Sequence, residues 1–180
     1  NLLGINFTIS IAIGGTVQNL LMTNLEPYSI SIDDFMRASN ISSSLANVWL
    51  SKIDGELKEE IILPALLQET GKFILADLIS HGGKSEVFKT KISSGISIED
   101  AEKELLGVTT SEITAKIFRH WKLSENLIAM IENVDDISKA SDNYRKKAQI
   151  LDVIKTASNI KEPLSDENVR SEERRVGKEC

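Results

Sequence analysis

The chain has 180 residues, of which 41% are hydrophobic and 27% charged, with a formal net charge of -6 and a pI of about 5.1. These values indicate one soluble globular domain with a sizeable core and argue against nonspecific nucleic-acid binding, which needs clustered Lys and Arg. No apolar run is long enough to span a bilayer, and the apolar N-terminal segment lacks a signal-peptide pattern, so we expect no membrane insertion. Cys180 is the single cysteine, which excludes an internal disulfide and favours a reducing, cytoplasmic compartment.

Apolar spacing predicts an all-α domain of seven or eight helices. The first is indicated by a repeat of four residues, although Gly14-Gly15 and the β-branched residues leave a strand open. Ser31 to Asp34 has the spacing of a capping box, and the helix that follows is expected to stop at Gly55. The repeat is Ile5, Ile9, Ile13, Val17 and Leu21, and the buried stripe predicted after the cap is Phe35, Ala38, Ile41, Leu45, Val48 and Trp49.

Caps, glycines and prolines set the later helix boundaries. The sequence predicts a helix from about Leu57 that is bent or restarted at Pro64, breaks at Gly71 and ends at Gly82-Gly83. A short helix follows from Ser85, and a capped helix starts at Ser97 and ends at Gly107. Further capped helices start at Thr109 and Ser124, and a last helix runs from about Ala140 to Ile160.

Both ends of the sequence suggest boundaries that are not those of a natural domain. The chain opens at Asn1 inside an apolar pattern, which predicts a domain over residues 1–162 that lacks its first helices. Residues 163–180 are expected to be a tail. Its last part, 171–180, has no apolar periodicity and is interpreted as an adapter or cloning scar.

Three stretches, residues 64–75, 98–107 and 108–123, match family patterns in sequence order. They read PALLQETGKFIL, IEDAEKELLG and VTTSEITAKIFRHWKL. Together they resemble the HDOD domain, the HD-related output domain of bacterial signalling proteins, over about Gly4 to Ile160. The chain is similar to single-domain HDOD proteins of flagellated bacteria that are linked to motility control. The resemblance implies an HD-domain-like helical bundle.

The resemblance also identifies positions where hydrolase relatives hold catalytic metals. Those relatives carry Leu-His-Asp-x-Gly-Lys at a helix turn. Here Leu67, Gly71 and Lys72 match the Leu, Gly and Lys of this motif, but Gln68-Glu69 stands in place of the His-Asp ligand pair. The other ligand positions are occupied by Ala38, by Thr109-Thr110 and by Val134-Asp135. Because an amide, an alanine, threonines and a valine replace the usual imidazoles and carboxylates, the resemblance implies no metal, no cofactor and no catalysis.

We therefore expect a non-catalytic module for bacterial signal transduction through protein partners, with motility or chemotaxis control as its setting. Its remnant cleft is predicted to contain Gln68, Glu69, Lys72, Thr109, Thr110 and Asp135, with Lys72 near the rim. Two alternatives stay open. One is a divergent metal-dependent phosphohydrolase or phosphodiesterase that uses Glu69 and Asp135 with ligands from a missing N-terminal part. The other is a non-hydrolytic nucleotide sensor that binds through Lys72 and nearby backbone amides.

Other chemically distinctive residues have simpler interpretations. His81 and His120 are expected at helix C-termini, where a positive charge suits the helix dipole. Trp49 and Trp121 are expected in the core, with Trp121 packed between its own helix and the helix over 61–67. The serines at 42–44 have no neighbouring base motif that would support nucleophilic catalysis.

Overall fold

Eight α-helices and two short 3-10 turns make up the computed structural model, which describes residues 24–160. This confirms the predicted all-α class for the described residues. The first predicted helix, over Ile5 to Leu21, and the predicted tail over 163–180 lie outside the described residues. The helices are α1 (Ile32–Leu50), α2 (Gly55–Leu67), α3 (Lys72–His81), α4 (Ser85–Ser93), α5 (Ile98–Leu106), α6 (Thr110–His120), α7 (Glu125–Glu132) and α8 (Asp142–Ala157), and the 3-10 turns are Glu26–Tyr28 and Ile137–Lys139.

Side-chain caps fix several helix starts where the sequence predicts them. Ser31 and Asp34 form a reciprocal capping box at the start of α1, and Thr109 and Glu112 form another at the start of α6. Each box satisfies two backbone N–H groups that have no partner inside the helix. Gly107 ends α5 in the left-handed conformation with a φ of 75°, which glycine adopts without steric cost.

The first two helix boundaries differ from the prediction because Asp54 is a helix cap. The Asp54 side chain accepts hydrogen bonds from the backbone N–H groups of Glu56 and Leu57, each at 3.1 Å. Helix α2 therefore begins at Gly55, and α1 already ends at Leu50. Pro64 lies inside α2, which continues through it to Leu67.

The buried face of α1 is rotated away from the predicted stripe. Val48 is 57% exposed. The inner face instead repeats every four residues through Ala38, Ser42, Ala46 and Leu50, all of which are buried. The prediction was wrong at Val48 because three of these four residues are alanine or serine, which add little to an apolar pattern.

Two apolar clusters hold the helices together, and α1 contributes to both. The first cluster is built from α2, α6, α7, α8 and the C-terminal half of α1. The second joins the N-terminal half of α1 to the first 3-10 turn, α3, α4 and α5. Within residues 24–160 no helix combines the length and apolar character needed to cross a membrane.

Trp121 is less buried than the sequence suggested. It is the C-cap residue that follows α6, and its ring stacks on Phe118 with centroids 5.9 Å apart. The side chain is only partly buried against the first cluster, which also contains Ile61 and Ala65 of α2. Truncating Trp121 should therefore cost less than the ~3–5 kcal/mol typical of a fully buried tryptophan.

Candidate functional site

The turn between α2 and α3 is held against α6 by Gly71. The backbone N–H of Gly71 donates a hydrogen bond of 2.8 Å to Thr114 Oγ1. A Cβ atom at position 71 would lie 2.9 Å from the backbone nitrogen of Thr114 and closer still to the carbonyl oxygen of Thr110. Only glycine allows this approach of two backbones. Packing of the turn against α6 therefore explains the need for glycine at position 71, without any ligand.

Lys72 is the first residue of α3, and its side chain is only 1% exposed. Its ammonium group forms an ion pair with Glu69 and lies 3.9 Å from Glu102 Oε1. The same Nζ is 3.4 Å from Thr110 Oγ1 and 5.3 Å from the centroid of the Tyr28 ring. Burial alone would lower the pKa of Lys72, but Glu69 and Glu102 raise it above its ordinary value. The prediction that Lys72 lies near the rim is wrong, because these partners hold the ammonium inside.

Glu102 of α5 is fully buried and accepts three hydrogen bonds. The Tyr28 hydroxyl donates to Oε1 at 2.8 Å, and the Thr110 hydroxyl donates to the same oxygen at 2.6 Å. The Thr110 backbone N–H donates to Oε2 at 2.6 Å. Burial raises the pKa of Glu102, while Lys72 and the Thr110 hydroxyl oppose that rise. This carboxyl group links the first 3-10 turn, α5, α3 and the start of α6.

Lys155 lies in the last turn of α8, and its side chain is 12% exposed. Its Nζ is 2.6 Å from Asp135 Oδ1, 2.7 Å from Glu99 Oε1 and 3.5 Å from Glu69 Oε1. Burial alone would lower the pKa of Lys155, but Glu99, Asp135 and Glu69 raise it well above its ordinary value. A lysine at a helix C-terminus is further stabilised by the helix dipole.

Asp135 follows α7 and has a side chain that is 8% exposed. Besides Lys155, it accepts a short hydrogen bond from the hydroxyl of Ser111. Burial would raise the pKa of Asp135, but the Lys155 charge and hydrogen bonds from Lys155, Ser111 and Thr109 hold it well below the ordinary value. Burial likewise opposes the charge of Glu99, whose pKa is lowered by Lys155 and then Lys72.

Six of the charged side chains described above form what we call the ion-pair cluster. Its four carboxylates come from three parts of the fold, the α2–α3 turn, α5 and the segment after α7, and each lies within 4 Å of one of the two ammonium groups. The members are Glu69, Lys72, Glu99, Glu102, Asp135 and Lys155.

A pocket of about 420 Å³ opens beside the ion-pair cluster. Its charged lining consists of five carboxylates and two ammonium groups, a formal excess of three negative charges. These groups are Glu69, Glu99, Asp100, Asp135 and Asp152, with Lys72 and Lys155. A smaller pocket of about 200 Å³ shares Glu99, Asp100 and Asp135 and also includes Thr109.

The predicted remnant cleft is only partly assembled. Glu69, Lys72 and Asp135 line the larger pocket, and Thr109 lines the smaller one. Gln68 is 2% exposed and Thr110 is fully buried, and neither lines these two pockets. The two residues are covered because the Gly71 turn packs directly on the start of α6. Within residues 24–160, neither polar atom of the Gln68 side-chain amide has a hydrogen-bond partner.

Ala38 and Val134, which the resemblance implied as metal-ligand positions, carry apolar side chains. Ala38 of α1 is 4% exposed and lines the larger pocket beside Glu69 and Asp135. Val134 is 2% exposed and belongs to the first apolar cluster. Neither side chain has an atom that can bind a metal.

The donor set in the described range does not suit a catalytic metal. Among residues 24–160 no group of three His, Cys, Asp or Glu side chains is arranged to hold a metal ion. His81 and His120 are exposed at the ends of α3 and α6, where the sequence places them. His81 Nδ1 lies 3.0 Å from the carbonyl oxygen of Asp77 in its own helix. The carboxylates that do converge already have ammonium partners, and an ammonium competes directly with a metal for the same oxygens.

Four important side chains were missed by the sequence analysis. Glu99 and Glu102 are on one of the three stretches that carry the family resemblance, and their spacing of three residues puts both on one face of α5. That spacing could have indicated them. Tyr28 and Lys155 lie outside the three stretches, and nothing in their sequence neighbourhood distinguishes them from an ordinary core tyrosine and a helix-end lysine.

Two solved structures have the same fold at low sequence identity. A virulence factor from Campylobacter jejuni subsp. jejuni matches with a TM-score of 0.67 and 21% identity, covering 82% of this chain and 55% of its own. A protein described as "Putative phosphohydrolase" from Shewanella amazonensis SB2B matches with a TM-score of 0.59 and 23% identity, covering 72% of this chain and 47% of its own. The chain spans about half the length of each.

A search of curated proteins returned no match. The sequence model of the HDOD domain family matches residues 1–137, which is more than half of the chain. The three sequence stretches, the helical fold and this match agree, and the chain belongs to the HDOD domain family.

Proposed function

We propose that this domain is a non-catalytic module of a cytoplasmic bacterial signalling pathway, with motility or chemotaxis control as its setting, and that it acts by binding protein partners. The observation that carries the proposal is the pairing of the pocket carboxylates Glu69 and Asp135 with the ammonium groups of Lys72 and Lys155. Carboxylates that are already neutralised in this way are poor ligands for a catalytic metal and poor bases for activating water.

The nucleotide-sensor alternative loses its main support. It required the Lys72 ammonium to meet a phosphate, but that group is 1% exposed and paired with Glu69. The pocket beside it carries an excess of negative charge. Phosphate groups would be repelled there, because like charges in a partly enclosed site interact strongly.

The hydrolase alternative is tested by metal content and turnover together. Protein purified without a His tag should contain far less than one equivalent of Fe, Mn, Zn or Ni by elemental analysis. Hydrolysis of a generic phosphodiester with added Mn²⁺ should equal that of a buffer control. One equivalent of bound metal, or turnover that Asp135→Asn abolishes, would establish the enzyme instead.

Partner binding through the larger pocket is tested by blocking it. Thr156 of α8 is half-buried on the pocket lining, so Thr156→Arg places a long cationic side chain across it. The matched control is Thr90→Arg, at an exposed position of α4 away from the pocket. We expect pull-downs from a native lysate to lose a specific partner with Thr156→Arg alone, at unchanged Tm. An identical partner set for both variants would exclude the pocket.

A further inference from the structure

We propose that α5 is a movable wall of the larger pocket, which pivots on α4 and away from α6 and α8. Its outward movement joins the larger pocket to the smaller one and so controls access to both. The inference rests on the proposed function in taking the larger pocket as the binding site for a protein partner, and it adds a means by which access to that site is regulated.

The start of α5 stands between the two pockets. Glu99 and Asp100, in its first turn, line both of them, and Ser97 and Ile98 line the larger one as well. Lys103, one turn further along the helix, lines the smaller pocket. A displacement of this one short helix therefore changes the shape of both pockets at once.

Apolar burial anchors α5 only weakly. Of its nine residues only Ala101 and Glu102 are buried, and alanine has the smallest apolar side chain. Ile98, Leu105 and Leu106 are partly buried against the second cluster, and α4 is the helix on which α5 packs. An element with so little buried apolar surface opens at a lower free energy than the rest of a domain.

Polar contacts hold α5 to α6 and α8. Glu99 Oε1 lies 2.7 Å from Lys155 Nζ of α8. Glu102 accepts hydrogen bonds from the hydroxyl and the backbone N–H of Thr110, at the start of α6, each at 2.6 Å. Water replaces such partners once the helix has moved, so each contact contributes only modestly to the closed position.

Glycines on both sides of α5 provide the hinges. Gly95 has a φ of 94° and Gly107 a φ of 75°, values that other residues rarely adopt. Apart from the chain neighbours, no described atom lies within 4 Å of a Cβ added at either position, in contrast to Gly71. The backbone angles of the two links can therefore change without a clash, as a hinge requires.

The backbone amide of Thr110 reports this movement directly. Its N–H is the first of α6 and has no partner inside that helix, and its acceptor is Glu102 Oε2. Pivoting of α5 exposes this amide to water while the hydrogen bonds within both helices persist. The Gly71 amide is the internal reference, because its bond to Thr114 Oγ1 joins the α2–α3 turn to α6 and does not involve α5.

The experiment is amide hydrogen exchange of the full chain followed by NMR, with each rate divided by the intrinsic rate of that residue. We expect Thr110 to exchange about tenfold faster than Gly71, or more, in the wild type. Glu99→Gln removes the charge that ties α5 to α8, and it should accelerate Thr110 about fivefold further without changing Gly71. The matched control is Glu104→Gln, on the same helix, which pairs with a lysine of α4 and should change neither rate.

Three results would overturn the inference. The first is a Thr110 amide that is protected as well as the Gly71 amide, and this wild-type comparison decides the question even if a variant does not fold. The second is an equal effect of Glu99→Gln and Glu104→Gln. The third is an equal acceleration of Gly71 by Glu99→Gln, which would mean that the whole fold is loosened. Failure of the proposed function is seen separately, as an unchanged partner set for Thr156→Arg, so the two failures are distinguishable.

Discussion

The hydroxyl of Tyr28 donates a hydrogen bond of 2.8 Å to Oε1 of Glu102, across 74 positions of the chain, and both side chains are buried. Burial and the neighbouring Glu102 raise the pKa of Tyr28 well above its ordinary value, so the phenol keeps its proton. The bond fastens the first 3-10 turn to α5 at the edge of the ion-pair cluster.

Tyr28→Phe should destabilise the domain, because it removes a donor from a buried carboxylate. The loss of free energy of unfolding should be about 1–3 kcal/mol in urea titrations, the range for leaving a buried polar group without its partner. Tyr144→Phe is the matched control, since its hydroxyl bonds Asn126 at an exposed site. An equal effect of the two substitutions would contradict the assigned role of the Tyr28 bond.

Gly71→Ala should be destabilising for a purely steric reason. The added Cβ would overlap the backbone of Thr110 and Thr114, and neither backbone can move without displacing the start of α6. We expect a loss of about 1–3 kcal/mol, typical of overpacking, measured as a lower Tm and urea midpoint. Gly55→Ala is the control, because nothing lies within 4 Å of its added Cβ, and it should be neutral or slightly stabilising. A neutral Gly71→Ala would show that the turn is loosely packed.

Gln68→Leu should stabilise the domain. Gln68 is 2% exposed, and neither polar atom of its amide has a hydrogen-bond partner among the residues that the structure describes. An unsatisfied buried amide costs about 1–3 kcal/mol, and leucine of similar size removes that cost. The measurement is the free energy of unfolding in urea. A less stable Gln68→Leu would mean that the amide is hydrogen-bonded in solution.

Acidification should weaken the domain through Asp135 and Glu99. Both pKa values are lower in the folded state than in the unfolded state. Their contribution to the free energy of unfolding is therefore complete above the unfolded-state pKa values, which are about 4 for Asp and Glu. It is lost as the pH falls below that range. Glu102 has a raised pKa and opposes this trend, since its contribution is greatest at low pH and declines as the pH rises through its folded-state pKa.

The measurement is the free energy of unfolding from pH 7 to pH 2.5 for the wild type and Asp135→Asn. The variant should be less stable near neutral pH, by up to the ~3–5 kcal/mol lost when a buried pair is broken, and its stability should fall less steeply below pH 4. Parallel curves for the two proteins would show that Asp135 does not dominate the acid response.

Local signals in the sequence predict local structure in this chain. The boxes at Ser31 and Thr109 and the stop at Gly107 depend on contacts within four residues, so they can be identified without tertiary knowledge. The buried face of α1 is harder to predict, because Ser42 is buried by its neighbours and not by its own hydrophobicity; its hydroxyl hydrogen-bonds with that of Ser158.

The site is less predictable than the fold for the same reason. The resemblance identified Glu69 and Asp135, and the structure places both on one pocket. It could not identify Lys155, because a lysine in the last turn of a helix is ordinarily solvent-exposed, and only long-range packing brings its Nζ to these carboxylates. Lys72 was predicted near the rim of the cleft for the same reason, but its side chain is 1% exposed and paired with Glu69.

The position of Lys155 has a consequence for where this domain can be divided. The family match ends at residue 137, two residues after Asp135, whereas the positive charge that neutralises Asp135 comes from α8. A fragment that ends at residue 137 would contain Asp135 but not Lys155, the cation with which it pairs. Asp135 would then lack its cationic partner, so we expect a fragment that extends through Lys155 to be more stable than one that ends at residue 137.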